Sequence, residues 1–195
     1  MKAYYDRRAA EYDDWLHGTG LYADRDRPGW PDELDALRIA LEALPPALTL
    51  DIACGSGFFT RYLPGEVMAL DQSERMIEVA RGRGAAADYV VGDATRLPFP
   101  DGSFERAFTG HFYGHLGAGE GKPFLAEARR VANELVVLDS AWHEGVEREE
   151  WQERTLNDGS RWQVYKRYFE PGQLLAELGG RRIVFAGRWF VAVQA

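Results

Sequence analysis

Residues 50–60, Leu-Asp-Ile-Ala-Cys-Gly-Ser-Gly-Phe-Phe-Thr, contain an apolar run that breaks at two closely spaced glycines and then becomes helix-like. This order predicts a strand, a tight turn and a helix. Gly55 and Gly57 permit the tight turn and let backbone N–H groups approach a ligand without an intervening Cβ. Because nucleotide-like cofactors are bound in this way, the turn is predicted to be a cofactor site.

Strand-like and helical patterns alternate after the Pro45-Pro46 pair, which is typical of an α/β fold with a mostly parallel sheet. The predicted strands are residues 48–52, 67–70, 89–91, 104–109 and 135–138, and the clearest helical patterns between them are 73–81 and 124–131. Two further strand-like runs, 182–186 and 189–193, are joined by a link too short for a parallel crossover, so they predict a terminal antiparallel hairpin. We therefore expect a seven-stranded sheet with helices on both faces.

The length of 195 residues fits one α/β domain, so residues 1–195 are predicted to form a single domain. Residues 1–44 are rich in aromatic and charged side chains and are predicted to form a helical lid region. Residues 142–169 are interpreted as an insert on the substrate side, with a turn at 157–159. Within the insert, residues 147–150 are predicted to form a solvated helix face.

Composition excludes some partners. A formal net charge of −8 opposes nonspecific attraction to nucleic acid, and the chain lacks an Asn-Pro-Pro-aromatic motif. Cys54 is the one cysteine and cannot form an intramolecular disulfide. No apolar run approaches the roughly 20 residues needed to cross a bilayer, and no apolar signal segment opens the chain. We expect a cytoplasmic protein that binds neither nucleic acid nor membrane, as a monomer or a homodimer.

Acidic and polar residues follow successive predicted strands, where ligands bind in open parallel sheets. Asp71 lies twenty residues after Asp51 and can accept hydrogen bonds from both hydroxyls of a ribose. A nicotinamide dinucleotide is an alternative ligand, but its fingerprint requires a glycine or alanine where Thr60 stands. An NAD-linked oxidoreductase therefore stays open as the less favoured interpretation.

Three segments resemble the motifs of the class I S-adenosylmethionine-dependent methyltransferases, particularly the bacterial small-molecule type. Residues 50–57 resemble the first motif, with Ala53 where many members have glycine. Residues 69–73 with Met76 are similar to the second motif, and residues 92–99 to the third. The resemblance extends from about Tyr4 to the terminal hairpin and implies a Rossmann-like methyltransferase fold.

The resemblance also implies S-adenosylmethionine as the cofactor and S-adenosylhomocysteine as its product. The glycine turn would approach the methionyl part, Asp71 the ribose, and Asp93 the adenine edge. The implied cofactor-binding residues are Tyr5, Tyr12, Asp51, Ala53, Cys54, Gly55, Gly57, Phe58, Asp71, Gln72, Met76, Gly92, Asp93, Ala94 and Gly110.

The expected reaction is methyl transfer to a small-molecule acceptor by in-line displacement, which depends mainly on positioning and exclusion of water. A hydroxyl acceptor benefits from a general base. His111, His115 and Tyr113 follow the fourth strand and are the candidate catalytic residues. The two histidines are four residues apart, but without a third ligand no metal is predicted. The acceptor atom is left open, and a noncatalytic S-adenosylmethionine-binding module is a second alternative.

Overall fold

A computed structural model describes residues 1–117 and 119–195. The first third of the chain forms three helices, α1 (Lys2–Arg8), α2 (Asp14–His17) and α3 (Trp30–Glu42). Pro31 and two acidic residues lie in the first turn of α3, where a fixed φ and negative charge suit a helix N-terminus. Its buried side chains, Leu37 and Leu41 among them, lie on one face and pack against the sheet.

The rest of the chain alternates between strands and helices and then ends in two strands. The elements are β1 (Ala47–Ile52), β2 (Gly65–Asp71), α4 (Glu74–Gly82), β3 (Asp88–Val91), β4 (Phe104–Gly110), α5 (Gly121–Val131), β5 (Ala132–Ser140), β6 (Glu149–Thr155), β7 (Arg161–Arg167), α6 (Pro171–Glu177), β8 (Arg182–Ala186) and β9 (Phe190–Gln194).

In the described part of the chain, seven strands form one sheet in the order β3-β2-β1-β4-β5-β9-β8. The first five of these are mutually parallel, whereas β9 runs antiparallel to both β5 and β8. The predicted mostly parallel sheet and its terminal hairpin are both confirmed. Strand order reverses between β1 and β4, which opens a crevice beyond their carboxyl ends, the usual ligand site of open α/β sheets.

Helices cover both faces of the sheet, as predicted. The central strands are buried on both sides, so consecutive residues of β4 enter different cores: Ala107 packs on the face of α5 and α6, and Phe108 on the face of α3. The same holds for Val136 and Val137 in β5. Burial on both faces explains why these strands read as continuous apolar runs instead of alternating ones.

The insert forms a separate two-stranded sheet of β6 and β7. The prediction of a solvated helix face at residues 147–150 is wrong, because β6 begins at Glu149. The predicted turn is confirmed: Gly159 has a φ of +80°, and the amide of Leu156 donates to the carbonyl of Ser160 at 3.0 Å. Among the described residues, no helix is long and apolar enough to cross a membrane.

Candidate functional site

A cavity opens at the carboxyl edge of the sheet, where the strand order reverses. Its walls come from the loops after β1 to β4, the turn after His111, and the amino-terminal segment. The lining residues are Met1, Tyr5, Tyr12, Ala53, Gly55, Leu70, Asp71, Gln72, Gly92, Asp93, Ala94, Thr95, His111, Phe112, His115, Leu116 and Glu120. Eleven of the residues predicted from the sequence therefore meet at one cavity.

The two glycines of the turn after β1 have different surroundings. Gly55 has a φ of +55° and lines the cavity, where a Cβ would lie 3.3 Å from the ring of Tyr12. Gly57 has a φ of +74°, but a Cβ there would come within 2.8 Å of the Ala85 methyl group. Gly55 thus leaves room at the cavity wall, whereas Gly57 allows the turn to pack against α4 and the residues after it.

Asp71 joins the loops after β1 and β2. Its two carboxylate oxygens accept hydrogen bonds from the amides of Gly55, at 2.9 Å, and Ser73, at 2.8 Å. Burial raises the pKa of Asp71 to about 6, although the Ser73 and Gly55 amides oppose this shift. Each carboxylate oxygen keeps a second lone pair that can accept a hydrogen bond from a ligand hydroxyl.

The loop after β3 is held by Asp93, whose Oδ1 accepts hydrogen bonds from the amide and the hydroxyl of Thr95, both at 2.8 Å. The amide of Gly92 donates to the carbonyl of Asp71 at 3.0 Å, which links this loop to the end of β2. The buried Ala94 contributes to the same wall. Asp71, Gln72, Asp93 and Ala94 therefore form a continuous polar edge.

The amino-terminal segment covers this edge. Tyr5 and Tyr12 line the cavity with ring centroids 6.3 Å apart. Asp6 accepts a hydrogen bond from the hydroxyl of Ser73, and Asp13 from the hydroxyl of Ser56, both at 2.6 Å. The cover is thus bonded to the same two loops that carry Gly55 and Asp71.

His111 reaches the cavity from the end of β4. It has a φ of +55°, and Ala53, which follows β1, has a φ of +59°; these are the non-glycine residues with positive φ in residues 1–117 and 119–195. Both follow adjacent central strands and both line the cavity. Because this backbone conformation is costly for residues with a Cβ, the strain concentrates at the proposed site.

Burial lowers the pKa of His111 to about 3, against the opposing charge of Asp139. Its Nδ1 lies 3.4 Å from the hydroxyl oxygen of Ser140 and 3.9 Å from Asp139. Its buried Nε2 has no hydrogen-bond partner among the described residues. The His115 Nδ1 lies 2.7 Å from the carbonyl oxygen of Tyr165, and that geometry requires an N–H at Nδ1. Burial also lowers the pKa of His115.

A buried ion pair lies behind the part of the cavity wall formed by His111 and His115. Lys166 of β7 donates to Asp139 of β5 at 2.6 Å, and both side chains are almost inaccessible to solvent. Burial alone would raise the pKa of Asp139, but Lys166, His111 and His115 outweigh it and lower the pKa to about 2. Asp139 also accepts from the amide of Gly114 at 2.7 Å, so it ties the insert to the turn that carries both histidines.

Seven predicted site residues do not line the cavity: Asp51, Cys54, Gly57, Phe58, Met76, Gly110 and Tyr113. Asp51 is buried beneath the glycine turn, where it accepts a hydrogen bond from Thr60 at 2.6 Å, and burial raises its pKa to about 7. Tyr113 points to α6 and donates to Glu177 at 2.6 Å. The Asp51 side chain thus bonds within the protein interior, and the Tyr113 side chain bonds to helix α6.

Six lining residues were not predicted: Met1, Leu70, Thr95, Phe112, Leu116 and Glu120. Most of them lie within a few positions of a predicted site residue. A prediction that included more residues around each strand end would have contained them. Met1 had no signal, because its position depends on how α1 packs against α4.

A model of the family described as methyltransferase domain matches residues 50–135. The demethylmenaquinone methyltransferase of Renibacterium salmoninarum is 38% identical over 106 residues, which are 51% of this chain and 44% of that protein. A malonyl-[acyl-carrier protein] O-methyltransferase of Yersinia pestis is 34% identical over 121 residues, which are 58% of this chain and 43% of that protein. The chain thus spans less than half the length of these curated relatives.

A solved structure of DhpI with SAM and HEP resembles the chain over 98% of its length and 94% of the DhpI chain, with a TM-score of 0.72 and 26% identity. A structure of DhpI with SAH gives a TM-score of 0.71 over 98% and 92% of the two chains. These likenesses confirm the Rossmann-like fold predicted from the sequence, and the two DhpI structures are complexes with SAH and SAM. In its matching residues, its fold and its cavity at the strand-order reversal, the chain is similar to S-adenosylmethionine-dependent methyltransferases.

Proposed function

We propose that this chain transfers a methyl group from S-adenosylmethionine to a small-molecule acceptor by direct in-line displacement. The observation that carries the proposal is one cavity with two different walls. Gly55, Asp71 and Asp93 lie on one wall, and His111 and His115 lie on the other. The names of the curated relatives, which act on demethylmenaquinone and malonyl-[acyl-carrier protein], support an acceptor of this general class.

The proposed cofactor wall fits the group chemically. The second lone pairs of Asp71 would accept hydrogen bonds from the ribose hydroxyls, and the space at Gly55 would admit the methionyl part. Gln72, Asp93 and Ala94 would surround the adenine. Cys54, Gly57, Phe58, Met76, Asp51 and Gly110 would support these groups from beneath, without touching the ligand.

When bound, S-adenosylmethionine supplies a methyl group on a positively charged sulfur, and little covalent work is left to the protein. The chain contributes by orienting the acceptor and by excluding water, for which Tyr5 and Tyr12 provide cover. The free Nε2 of His111 can accept a hydrogen bond from an acceptor group. His111 and His115 would therefore position the acceptor, while Tyr113 supports the turn between them.

The single-domain boundary at residues 1–195 and the monomeric or homodimeric state stay predictions from the sequence. The same holds for cytoplasmic localisation and for the exclusion of nucleic-acid and membrane partners. Each concerns the whole protein rather than the cavity.

The test is calorimetric titration of the wild type and of Asp71→Ala with S-adenosylmethionine, S-adenosylhomocysteine and NAD. We expect the first two ligands to bind, and Asp71→Ala to lose about 30-fold or more in affinity, because one buried charged acceptor is worth roughly 2–3 kcal/mol. Asp88→Ala, an exposed carboxylate on the adjacent strand β3, is the matched control and should bind as the wild type does. Binding of NAD alone would contradict the proposal.

Binding without reaction must be separated from catalysis. Transfer of a radiolabelled methyl group from the cofactor to a broad acceptor panel is the second measurement. Tight cofactor binding with no transfer to any acceptor would favour the noncatalytic module.

A further inference from the structure

The proposed acceptor wall of the cavity comes from the loop between β4 and α5. The residues of this loop that line the cavity are His111, Phe112, His115, Leu116 and Glu120. Three of these side chains are polar, and none is a lysine or an arginine. The hydrogen bonds that the polar groups can donate or accept therefore decide which acceptor fits this wall.

The ring of His115 is oriented by the β6–β7 hairpin. Its Nδ1 lies 2.7 Å from the carbonyl oxygen of Tyr165 in β7, and because a carbonyl oxygen can only accept, Nδ1 carries a proton. In the neutral ring, Nε2 then has a lone pair and no proton. Nε2 makes no hydrogen bond to a described residue, and the side chain is partly exposed where it lines the cavity. A bound molecule with an N–H or O–H group can therefore donate to Nε2.

His111 adds no positive charge to this wall. Burial lowers its pKa to about 3, so the ring is neutral near pH 7. The carboxylate of Asp139, which is paired with Lys166, lies 3.9 Å from Nδ1 and favours a proton on Nδ1 over one on Nε2. The rings of Trp15 and Phe190 pack against the imidazole, with centroids 4.7 Å and 5.6 Å away. His111 therefore offers the cavity neither a cation nor a donor.

Glu120 places a negative charge on the same wall. It is exposed directly before α5, and its Oε2 accepts a hydrogen bond from the amide of Gly117 at 3.0 Å. It forms no ion pair with any residue that the structure describes. The wall thus presents an imidazole lone pair and a carboxylate, which attract N–H donors and positive charge and repel an anion.

We propose that the methyl acceptor is a primary or secondary amine that donates an N–H to Nε2 of His115 while Glu120 attracts its positive charge. The inference rests on the proposed methyltransferase function and adds the substrate class. His115 and Glu120 then position the acceptor nitrogen, and the carbonyl of Tyr165 orients His115. The apolar side chains of Phe112 and Leu116 suit the carbon skeleton beside that nitrogen.

An amine also suits the weak basicity of the two histidines. Burial lowers the pKa of both, so they are poorly suited to deprotonate a hydroxyl. An amine needs no general base, because its ammonium form releases one proton to water and the neutral nitrogen then reacts with its own lone pair. That pair forms the new N–CH3 bond while the S–CH3 bond breaks and its electron pair stays on sulfur. The positive charge moves from sulfur to the methylated nitrogen, and the cofactor product is a neutral thioether.

The test measures the binding of four probes with a common phenyl group to the protein loaded with S-adenosylhomocysteine. Benzylamine has N–H donors and a positive charge, whereas benzyltrimethylammonium has the charge without an N–H. Benzyl alcohol has a neutral O–H donor, and benzoate has a negative charge. NMR titration near pH 7 gives the dissociation constants, and S-adenosylhomocysteine affinity is measured first for every variant.

Two substitutions separate the contributions of the two residues. In His115→Asn, the side-chain N–H can still donate to the carbonyl of Tyr165, but no atom replaces Nε2. Glu120→Gln removes the charge and keeps the shape of the side chain. The controls are His143→Asn, a histidine that does not line the cavity, and Glu66→Gln, an exposed carboxylate near the amino end of β2.

We expect benzylamine to bind the wild type most tightly and benzoate most weakly. His115→Asn should weaken benzylamine binding by about tenfold, through the loss of one hydrogen bond, and leave benzyltrimethylammonium binding unchanged. Glu120→Gln should weaken the binding of both cations by about threefold, because an exposed charge pair contributes little. Neither control should change any affinity.

The inference is overturned, while S-adenosylhomocysteine affinity remains intact, if benzylamine does not bind or if any other probe binds as tightly. These comparisons use the wild type alone, so they hold even where a variant fails to fold. Unchanged benzylamine binding in folded His115→Asn would also overturn it. Failure of the wild type to bind S-adenosylhomocysteine would instead overturn the proposed function, and the inference with it.

Discussion

The proposed cofactor wall and the proposed acceptor wall of the cavity are formed by different kinds of chemical groups. The proposed cofactor wall depends on backbone groups: the amides of Gly55 and Ser73 bind Asp71, and the amide of Gly92 binds the carbonyl of the same residue. The proposed acceptor wall depends on charged side chains that come from distant parts of the chain, such as Asp139 and Lys166. One wall is defined by local turns and the other by tertiary contacts.

This difference has a functional consequence. Backbone groups present the same donors whatever the neighbouring side chains are, so a wall made from them suits a ligand shared by a whole family. Side chains on an inserted hairpin can change without altering the sheet, so they suit a ligand that differs between members. The four predictions below test whether the two walls are independent in this way.

The largest effect is expected on the acceptor wall. Replacing Lys166 by Met leaves Asp139 buried without its counterion, which should lower the free energy of unfolding by about 3–5 kcal/mol. Denaturant unfolding measures this loss, and Lys122→Met on an exposed site is the control. Adding Asp139→Asn should recover part of the stability, because the amide oxygen can still accept from Gly114. A loss below about 1 kcal/mol would show that the pair is not needed.

Two glycine substitutions compare positions within the cofactor wall. Gly57→Ala should lower stability by about 3 kcal/mol, because the new methyl group collides with Ala85 and the backbone has positive φ. Gly55→Ala should cost less stability but weaken S-adenosylmethionine binding, since its methyl group enters the cavity beside Tyr12. Thermal unfolding and calorimetry on both variants separate these effects. A similar loss of cofactor affinity in both would mean that the turn acts as one unit.

Asp51 offers a test by pH. Its pKa is about 7 in the folded protein and lower when unfolded, so its stabilising contribution is present below about pH 4 and is lost as pH rises through 7. Asp51→Asn does not titrate, so its stability advantage over wild type should grow by about 4 kcal/mol between pH 4 and pH 8. Denaturant unfolding at several pH values measures the difference. A constant difference would contradict the buried, partly unpaired state of this carboxyl.

The smallest effect is expected at Ala53. Glycine should relieve the cost of a φ of +59°, partly offset by the entropy of the unfolded chain, for a net gain of about 0.5 kcal/mol. Ala43→Gly is the control, because Ala43 has a φ of −81° and glycine there should only destabilise. Differential scanning calorimetry measures both variants. A loss of stability in Ala53→Gly would mean that its methyl group contributes packing that outweighs the strain.

The fold was largely predictable because its strands are buried on both faces. Val136 and Val137 enter opposite cores, so β5 is apolar at successive positions and is visible in the sequence. The terminal hairpin was predictable from its short link. The β6 strand was not, because every residue of Glu149–Thr155 except Trp151 is polar, so the segment shows no hydrophobic alternation.

The residues of the candidate site also differ in how well the sequence predicts them. Asp71 ends β2, and Gly55 and Asp93 come shortly after β1 and β3. Because parallel strands end at one sheet edge, the meeting of these residues could be expected from the chain alone. Residues such as Asp51 and Tyr113 lie at similar positions in the chain but turn away from the cavity, toward Thr60 and Glu177. The direction of a side chain at a strand end depends on packing that spacing along the chain does not encode.

The order of residues thus determines the sheet, its ligand-binding edge and the backbone turn for the cofactor, because these depend on short-range patterns and on the rules of parallel sheets. The charge of the acceptor wall follows from the folded arrangement instead. Asp139 and Lys166 are 27 residues apart in the chain, and they form a buried ion pair behind the histidines only when β5 and β7 have folded together. Electrostatic interactions depend on distance and burial, and both are properties of the folded arrangement.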